Sequence, residues 1–432
     1  MATSCSFSAS QNVLTISFID QIFTFHAQWL YDTRCDGEGA RDSKTAFSQT
    51  LPTARIKSAS ISHARDPSSI VVTWMDESQS EYPTPWLRVM APLVAKREPA
   101  MQEMSLGSKG WTPESIHIPE YHYQDLFHGI KNSKSSQAVN EQVITDLLVD
   151  SSSGIVKIIG LPEPNLKDEK SQENTLVTAV LKHIFGAVFV HPRRAADTTF
   201  NVSSQSTEEN PNPVALPNYH KNPVLLPHSD HAHYSQAARI MGLYQAEGVS
   251  LNTFVSGWAA LQTLKEESPH LAEPLQNAPV AVGRLAPYYN PPLNQSTVAT
   301  AIAGSPIDLS GVMRFRWHPH LFRTLLSSFD DFETARASHH KFQDIMTRDT
   351  HLLKLMVKPG DMYLWDNYRI LHGRESILEV PRTAVGQTVP EDVVMNRYRE
   401  ILLGRLRGKL SDDWLTHTPT MLLREMILLM KG

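Results

Sequence analysis

The sequence is poor in cysteine, in runs of like charge and in long apolar stretches. Its only cysteines among 432 residues are Cys5 and Cys35, too few for a disulfide framework or a cysteine-rich zinc module. The formal net charge is −5 and lysines and arginines form no long run, so we expect no nucleic-acid partner. No apolar run approaches the roughly 18 residues that a membrane span needs, so we expect no membrane partner.

The segment between Met1 and Arg34 contains no lysine or arginine. A secretory signal needs a positively charged start, and an import peptide needs an arginine-rich face. We therefore expect a cytoplasmic protein.

Hydrophobic residues make up 41% of the sequence and charged residues 20%, which is typical of a globular protein with a sizeable core. β-Branched content predicts strands over residues 69–74 and 154–160, and apolar spacing predicts a helix over 172–185. Stretches rich in Ser, Asn and Pro predict long loops over 201–217 and 287–306.

Two further features concern the organisation of the chain. A basic connector around residues 96–97 leads us to place a domain boundary near 100–112. Residues 422–430 have the spacing of an amphipathic helix. The apolar face of this helix packs either on the protein's own core or against a second copy, which makes a homodimer a candidate assembly.

Most of the 19 histidines must be structural or solvated, but His228 and Asp230 flank a single serine. In a strand, residues two apart project from the same face, so this imidazole and this carboxylate converge on one point. They are two of the three ligands of the facial triad that binds non-haem Fe(II). Such a triplet is common by chance, so it carries weight only together with a third ligand.

Residues 359–374 supply such a ligand, with the sequence PGDMYLWDNYRILHGR. They predict a turn, a strand, a short turn and a second strand that carries His372. The run resembles the distal-histidine region of Fe(II)/2-oxoglutarate dioxygenases, and more narrowly the γ-butyrobetaine and trimethyllysine hydroxylase branch of the taurine dioxygenase-like superfamily. Further segments that share this resemblance are residues 29–32, 72–76, 82–87, 382–386 and 396–399.

The resemblance implies a mainly β fold with flanking helices. It implies a double-stranded β-helix (jelly-roll) catalytic core with a helical tail over residues 106–432, and a small β-rich N-terminal domain over residues 1–105. It also implies that the iron is bound by His228, Asp230 and His372.

Arg382 resembles the arginine that binds the distal carboxylate of 2-oxoglutarate in this family. A guanidinium group forms two parallel hydrogen bonds with a carboxylate, which a lysine cannot do. The resemblance thus implies Fe(II), 2-oxoglutarate as co-substrate and dioxygen. Succinate and carbon dioxide would be released while a bound substrate is oxidised.

Two departures from the family pattern concern the cofactors. The branch typically holds a structural zinc with a cysteine cluster and a distant histidine, where this chain has only Cys35 and, at the histidine position, Ser78. One cysteine cannot complete a tetrahedral site, so we expect no structural zinc. The branch also places a hydroxyl near 2-oxoglutarate, and here either Asn252 or Thr253 supplies that polar contact.

A third departure concerns substrate recognition. A trimethylammonium group is recognised by an aromatic cage, but the cage positions of the betaine hydroxylases hold His231, His220, Ala196 and Phe200 here. Only Phe200 is a hydrocarbon ring, and a protonated histidine repels a cation. This pattern argues against chemistry of the carnitine pathway.

The pocket rim is instead rich in hydrogen-bonding groups. It either binds a polar or anionic substrate or is only solvated, and its candidate members are His220, His231, His233 and Tyr234. Tyr288 lies in a lid-like loop and is a further candidate substrate contact. The other paired histidines are expected at the surface: His318 with His320, and His339 with His340.

The sequence therefore predicts an Fe(II)- and 2-oxoglutarate-dependent oxygenase that oxidises an unactivated C–H bond of a small molecule. The loss of the cage favours a specialised metabolite or a modified amino acid as substrate. One alternative is desaturation, ring formation or rearrangement at the same iron, because the outcome depends on substrate pose. The other alternative is a non-catalytic binding protein that has kept the fold.

Overall fold

The structure is a computed structural model. It describes residues 2–34, 54–63, 68–97, 110–130, 134–148, 152–166, 175–189, 200–204, 224–235, 237–286, 293–303, 314–376 and 382–406. Among these, no helix is both long and apolar enough to cross a membrane. The predicted tail helix over 422–430 lies outside the described residues, as do His220 and Tyr288.

The chain divides into two compact units, each described by itself. The first unit comprises Met1–Leu106, Leu309–Gly311 and Arg399–Gly432, and the second comprises Gly107–Asp308 and Val312–Tyr398.

The first unit contains two small antiparallel sheets, with strand orders β1-β2-β3-β7 and β4-β5-β6. Its elements are β1 (Ala2–Ser8), β2 (Val13–Phe18), β3 (Ile22–His26), α1 (Ala27–Asp32), β4 (Ile56–Ser62), β5 (Ser69–Trp74), β6 (Gln79–Pro83), α2 (Thr84–Val94) and β7 (Lys96–Arg97). Alternate residues of β2 are buried, which is the pattern of a strand with one face on a core.

Aromatic rings form the centre of the first unit. The rings of Trp29 and Trp86 stack at 5.4 Å between centroids, and Phe25 and Tyr82 extend the stack on either side. The Tyr82 hydroxyl donates to the Leu30 carbonyl at 2.5 Å. A buried phenol needs such a partner, so this bond fixes β6 against α1.

The second unit contains the larger sheets. Its strands are β8 (Glu120–His122), β9 (Ile155–Ile159), β10 (Phe200–Ser204), β11 (Leu225–His228), β12 (Ala238–Glu247), β13 (Ser250–Ser256), β14 (Pro279–Ala286), β15 (Leu293–Thr300), β16 (Ile302–Ala303), β17 (Arg314–Phe315), β18 (Phe322–Leu325), β19 (Leu353–Val357), β20 (Met362–Asp366), β21 (Ile370–Arg374) and β22 (Arg382–Pro390). Its helices, with α9 continuing past Tyr398, are α3 (Tyr123–His128), α4 (Ser136–Leu148), α5 (Leu176–Phe185), α6 (Gly257–Glu267), α7 (Pro269–Asn277), α8 (Phe332–Met346) and α9 (Glu391–Leu406).

Two facing sheets make up the core of this unit. A six-stranded sheet has the order β10-β22-β12-β20-β9-β8, and a four-stranded sheet has the order β11-β21-β13-β19. Phe254 and Ile370 of the smaller sheet pack against Met241, Tyr363 and Trp365 of the larger one. The mainly β jelly-roll class predicted from the sequence is confirmed, and the described strands form open sheets rather than a closed barrel.

Helices cover the outer faces of both sheets. Val255 and Leu371 of the smaller sheet join a buried cluster with residues of α6 and α8, such as Leu261 and Phe342. On the larger sheet, α5 lies so close that a Cβ at Gly242 would contact the side chain of Val177 at 2.9 Å. β20 is buried at every position because both of its faces are covered.

The local predictions are confirmed where the signal was a periodic pattern. Strands occur at Ser69–Trp74 and Ile155–Ile159, and a helix occurs at Leu176–Phe185. The loop predictions were wrong in part. Residues 201–204 belong to β10, and most of the 287–306 stretch that is described forms β15 and β16. β15 pairs with β14 along its whole length, and this backbone pairing outweighs the turn-favouring composition.

A buried ion cluster holds the turn between β20 and β21. The Asp366 carboxylate has no exposed surface. It accepts from Arg239 at 3.0 Å and from Arg369 at 3.2 Å, and the Tyr368 backbone N–H donates to it at 3.0 Å. The turn is therefore fixed at the point where the chain passes from the larger sheet to the smaller one.

We predict that Asp366→Ala lowers the free energy of unfolding by about 3–5 kcal/mol, because it removes the buried carboxylate that pairs with two buried guanidinium groups. Urea denaturation measures this change. The matched control is Asp344→Ala, which removes an exposed partner of Arg348 and is expected to cost less than about 1 kcal/mol. Equal losses in the two variants would contradict the prediction.

Candidate metal centre

His228 and His372 are directly opposite each other on adjacent strands. β11 pairs antiparallel with β21, and the register aligns these two residues. Opposed residues of an antiparallel pair share a face, so both imidazoles project to the same side. Their ring centroids are 4.4 Å apart.

Asp230 completes the group from the turn after β11. One carboxylate oxygen lies 3.6 Å from His228 Nε2, and the other lies 3.7 Å from His372 Nε2. One candidate ligand atom from each residue lies within 4.8 Å of the other two. The strand ends at His228, so Asp230 converges through a turn and not through the strand alternation that the sequence suggested. The next residue, His231, has a positive φ of 61°.

Asn367 holds the Asp230 backbone from both sides. Its Oδ1 accepts from the Asp230 N–H at 2.9 Å, and its Nδ2 donates to the Asp230 carbonyl at 3.0 Å. The same Nδ2 also donates to the Ala238 carbonyl at 3.0 Å. The sequence motif contained Asn367 but gave no sign of this role, because its partners lie far away along the chain.

The protonation states favour metal binding. His228 Nδ1 lies 2.9 Å from the Leu226 carbonyl, which can only accept, so Nδ1 carries a proton and Nε2 is the ring nitrogen turned to Asp230. Burial lowers the pKa of His372 to about 3, which keeps its ring neutral. Burial acts to raise the pKa of Asp230, but its closeness to His228, His372 and His231 outweighs burial and holds the pKa below its usual range, so the group is a carboxylate.

The surface interpretation of His318, His320 and His339 was wrong. The His318 ring lies 4.6 Å from the His228 ring, and burial keeps the pKa of His318 well below its ordinary value. His320 Nε2 accepts from the Leu226 N–H at 3.0 Å, and burial lowers its pKa to about 4. His339 is buried against Trp317. The spacing of these histidines in the sequence could not show that they are buried, because segments from elsewhere in the chain cover them.

The predicted co-substrate residues lie on the two facing sheets. Arg382 of β22 is 2% exposed, and among the described residues its Nε and Nη1 have no hydrogen-bond partner. Burial and the charge of Arg374 lower its pKa to about 10, so it stays cationic. Asn252 is paired with Arg374 and lies on the face of His372, whereas Thr253 is paired with Gly373 and lies on the opposite face.

The candidate pocket residues are only partly described. His231 lies 5.1 Å from the ring of Phe189 and 5.0 Å from that of Tyr234. His233 is buried, with its ring 4.5 Å from Tyr234. Phe200 pairs through its backbone with Gly386. Phe189 was missed from the sequence because it lies well before the histidine triplet in the chain.

The residues present fit an iron and a dicarboxylate. Two imidazoles and one carboxylate on one side of a metal leave further positions open, which is the donor set of non-haem Fe(II) oxygenases. Arg382 is a buried arginine whose Nε and Nη1 have no partner in the described part of the chain, and such a group matches a carboxylate. Together with the jelly-roll core, this donor set is that of a non-haem iron dioxygenase.

Residues 171–386 match the family model described as taurine catabolism dioxygenase TauD, TfdA family. The chain belongs to this family and is an Fe(II)/2-oxoglutarate-dependent dioxygenase. No curated protein sequence matches the chain.

Several solved structures are similar to the chain at low sequence identity. An asparagine oxygenase in complex with Fe(II), 2S,3S-3-hydroxyasparagine and succinate is 15% identical, with a TM-score of 0.44 over 64% of this chain and 83% of that one. The non-heme iron oxygenase OrfP with Fe, succinate and (3S)-hydroxy-L-Arg is 14% identical, with a TM-score of 0.45 and the same coverage. The PvcB protein from Pseudomonas aeruginosa is 16% identical, with a TM-score of 0.42 over 68% of this chain and 95% of that one.

We predict that Asn367→Ala weakens Fe(II) binding by about 10- to 100-fold, the usual cost of losing a group that orients a metal ligand. Anaerobic calorimetry with Fe(II) measures the affinity. Asn277→Ala is the control, because Asn277 is exposed at the end of α7 and should leave the affinity unchanged. If a folded Asn367→Ala protein binds Fe(II) with unchanged affinity, the hydrogen bonds from Asn367 to the Asp230 backbone are not needed for metal binding.

Proposed function

We propose that His228, Asp230 and His372 bind the iron, and that Arg382 binds the distal carboxylate of 2-oxoglutarate. The single observation that carries this proposal is the convergence of the three side chains, with ligand atoms within 4.8 Å of one another. The burial of Arg382, whose Nε and Nη1 have no hydrogen-bond partner within the described ranges, supports the second part. When bound, the iron would supply the oxidising chemistry that splits 2-oxoglutarate into succinate and carbon dioxide.

The protein's own groups then have defined tasks. His228 presents Nε2 because the Leu226 carbonyl holds the proton on Nδ1. Asp230 supplies a charged ligand whose backbone is held by Asn367. Arg382, buried and cationic, would orient the co-substrate by its far end. Of the two candidates for the further polar contact, we favour Asn252, since it shares the face of His372 while Thr253 does not.

We infer that the substrate is a polar small molecule. His231, His233 and Tyr234 follow Asp230 directly, and His318 flanks His228 from another segment. These groups offer several hydrogen-bond donors and acceptors beside the metal centre. A specialised metabolite or a modified amino acid fits such a lining, and oxidation of an unactivated C–H bond is the reaction proposed.

The placement within the family stays a proposal. The segments around Trp74, Trp86 and His372 support the γ-butyrobetaine and trimethyllysine hydroxylase branch, with residues 1–105 as its N-terminal domain. A homodimer and a cytoplasmic location remain predictions.

The active centre is tested by its spectrum. Fe(II) and then 2-oxoglutarate added anaerobically should give a weak visible charge-transfer band from chelation by the keto acid. Arg382→Ala should raise the 2-oxoglutarate concentration needed for half of the band by at least about 30-fold, because a buried charge loses its partner. Arg382→Lys should rescue little, since lysine lacks the planar fork.

Two further variants serve as controls for this spectral titration. Arg336→Ala removes an exposed arginine and should leave the band and its titration unchanged. His228→Ala should abolish the band and turnover while the thermal unfolding midpoint stays close to that of the unchanged protein. A band of full intensity in His228→Ala would overturn the ligand assignment.

Product mass tests the type of reaction, and the range of compounds that are turned over tests the substrate class. Hydroxylation adds one oxygen to the substrate, whereas desaturation or ring formation removes two hydrogens, and rearrangement leaves the mass unchanged. We expect polar amino-acid derivatives to give oxygenated products with stoichiometric succinate. Efficient turnover of γ-butyrobetaine or trimethyllysine with stoichiometric succinate would contradict the proposed substrate class.

A further inference from the structure

The strand that carries His228 contains an irregularity just before it. β11 pairs with β21 as Leu225 with Arg374 and His228 with His372, so three steps on one strand face two steps on the other. This mismatch is typical of a β-bulge, which interrupts the ladder of backbone hydrogen bonds and changes the direction of the side chains around it. Pro227 lies inside the bulge and has no N–H to donate. The backbone groups of Leu226 therefore need partners elsewhere.

Both backbone groups of Leu226 have partners that lead to the metal centre. Its N–H donates to His320 Nε2 at 3.0 Å, and its carbonyl accepts from His228 Nδ1 at 2.9 Å. Leu226 is thus held at one end by His320 and orients His228 at the other. The centroids of the His320 and His228 rings are 6.0 Å apart, and the hydrogen bonds that link the two residues run through the Leu226 backbone.

The segment that delivers His320 is itself anchored beside the metal centre. The Ser229 N–H donates to the Trp317 carbonyl at 2.6 Å, and the Trp317 N–H donates to Ser229 Oγ at 3.0 Å. The Trp317 ring is buried, and its indole N–H donates to Gln343 of α8 at 3.0 Å. The segment that carries His320 is therefore hydrogen-bonded both to Ser229, beside Asp230, and to helix α8.

We propose that His320 is a positioning residue for the metal centre, which holds the bulge at Leu226 so that the Leu226 carbonyl fixes the tautomer and orientation of His228. This inference rests on the proposed function, because it takes His228 as a metal ligand. Groups that orient a metal-binding histidine typically contribute 10- to 100-fold in metal affinity, so an effect of about that size is expected here.

The test compares three substitutions at position 320. His320→Gln places Oε1 near the position of Nε2 and keeps an acceptor for the Leu226 N–H. His320→Asn is polar but shorter, and His320→Leu has no acceptor. Mn(II) alone serves as a redox-inert probe, with free Mn(II) followed by electron paramagnetic resonance, so that the readout is metal affinity and not activity.

We expect His320→Leu and His320→Asn to weaken Mn(II) binding by about 10- to 100-fold, and His320→Gln to recover most of the loss. The thermal unfolding midpoint is measured for each protein, and the comparison of Gln with Asn holds even if the Leu variant does not fold. His340→Leu is the matched control, because His340 is exposed on α8 and its removal should leave the affinity unchanged.

The outcomes separate this inference from the proposed function. If the unchanged protein does not bind Mn(II), the ligand assignment itself fails. If it binds Mn(II) and the folded Asn or Leu variants bind equally well, His320 has no positioning role. A Gln variant as weak as the Asn variant would also overturn the inference, since an acceptor at Leu226 would then not be what matters.

Discussion

The hydrogen bonds between Asn367 and the backbone of Asp230 hold the candidate metal centre together. They join the turn between β20 and β21 to the segment after β11, which lies far away in the sequence. The same turn is anchored at Asp366 by two buried arginines and leads directly into β21, which carries His372. A shift of this turn would therefore displace both Asp230 and His372.

The second constraint is the close approach of β11 to β21. A Cβ at Gly373 would collide with the Leu225 carbonyl oxygen and come within 2.9 Å of the Thr253 hydroxyl, so glycine permits the pairing that sets the two histidines opposite each other. The bulge at Leu226 interrupts this pairing just before His228, and His320 accepts a hydrogen bond from the Leu226 N–H. Packing of the sheets thus determines ligand geometry.

The sequence allowed the candidate metal ligands to be predicted because their motifs are short and contain recognisable residue types. The run from Pro359 to Arg374 contains the turn, both strands and the distal histidine, and the structure has them in that order. The residues that support these ligands were not predictable in the same way. Asn367, His318 and His320 act on partners more than eighty residues away, and no local pattern records such contacts.

The sequence by itself determined the class of the protein, the candidate ligand types and the strands with a clear hydrophobic period. It does so because periodicity and motif spacing are local properties. Only the tertiary structure decided that Asn252 and not Thr253 shares the face of His372, that β15 is a strand, and that His318 and His320 lie beside the metal centre. These features depend on register and on which segments pack together, and both arise from contacts between residues distant in the chain.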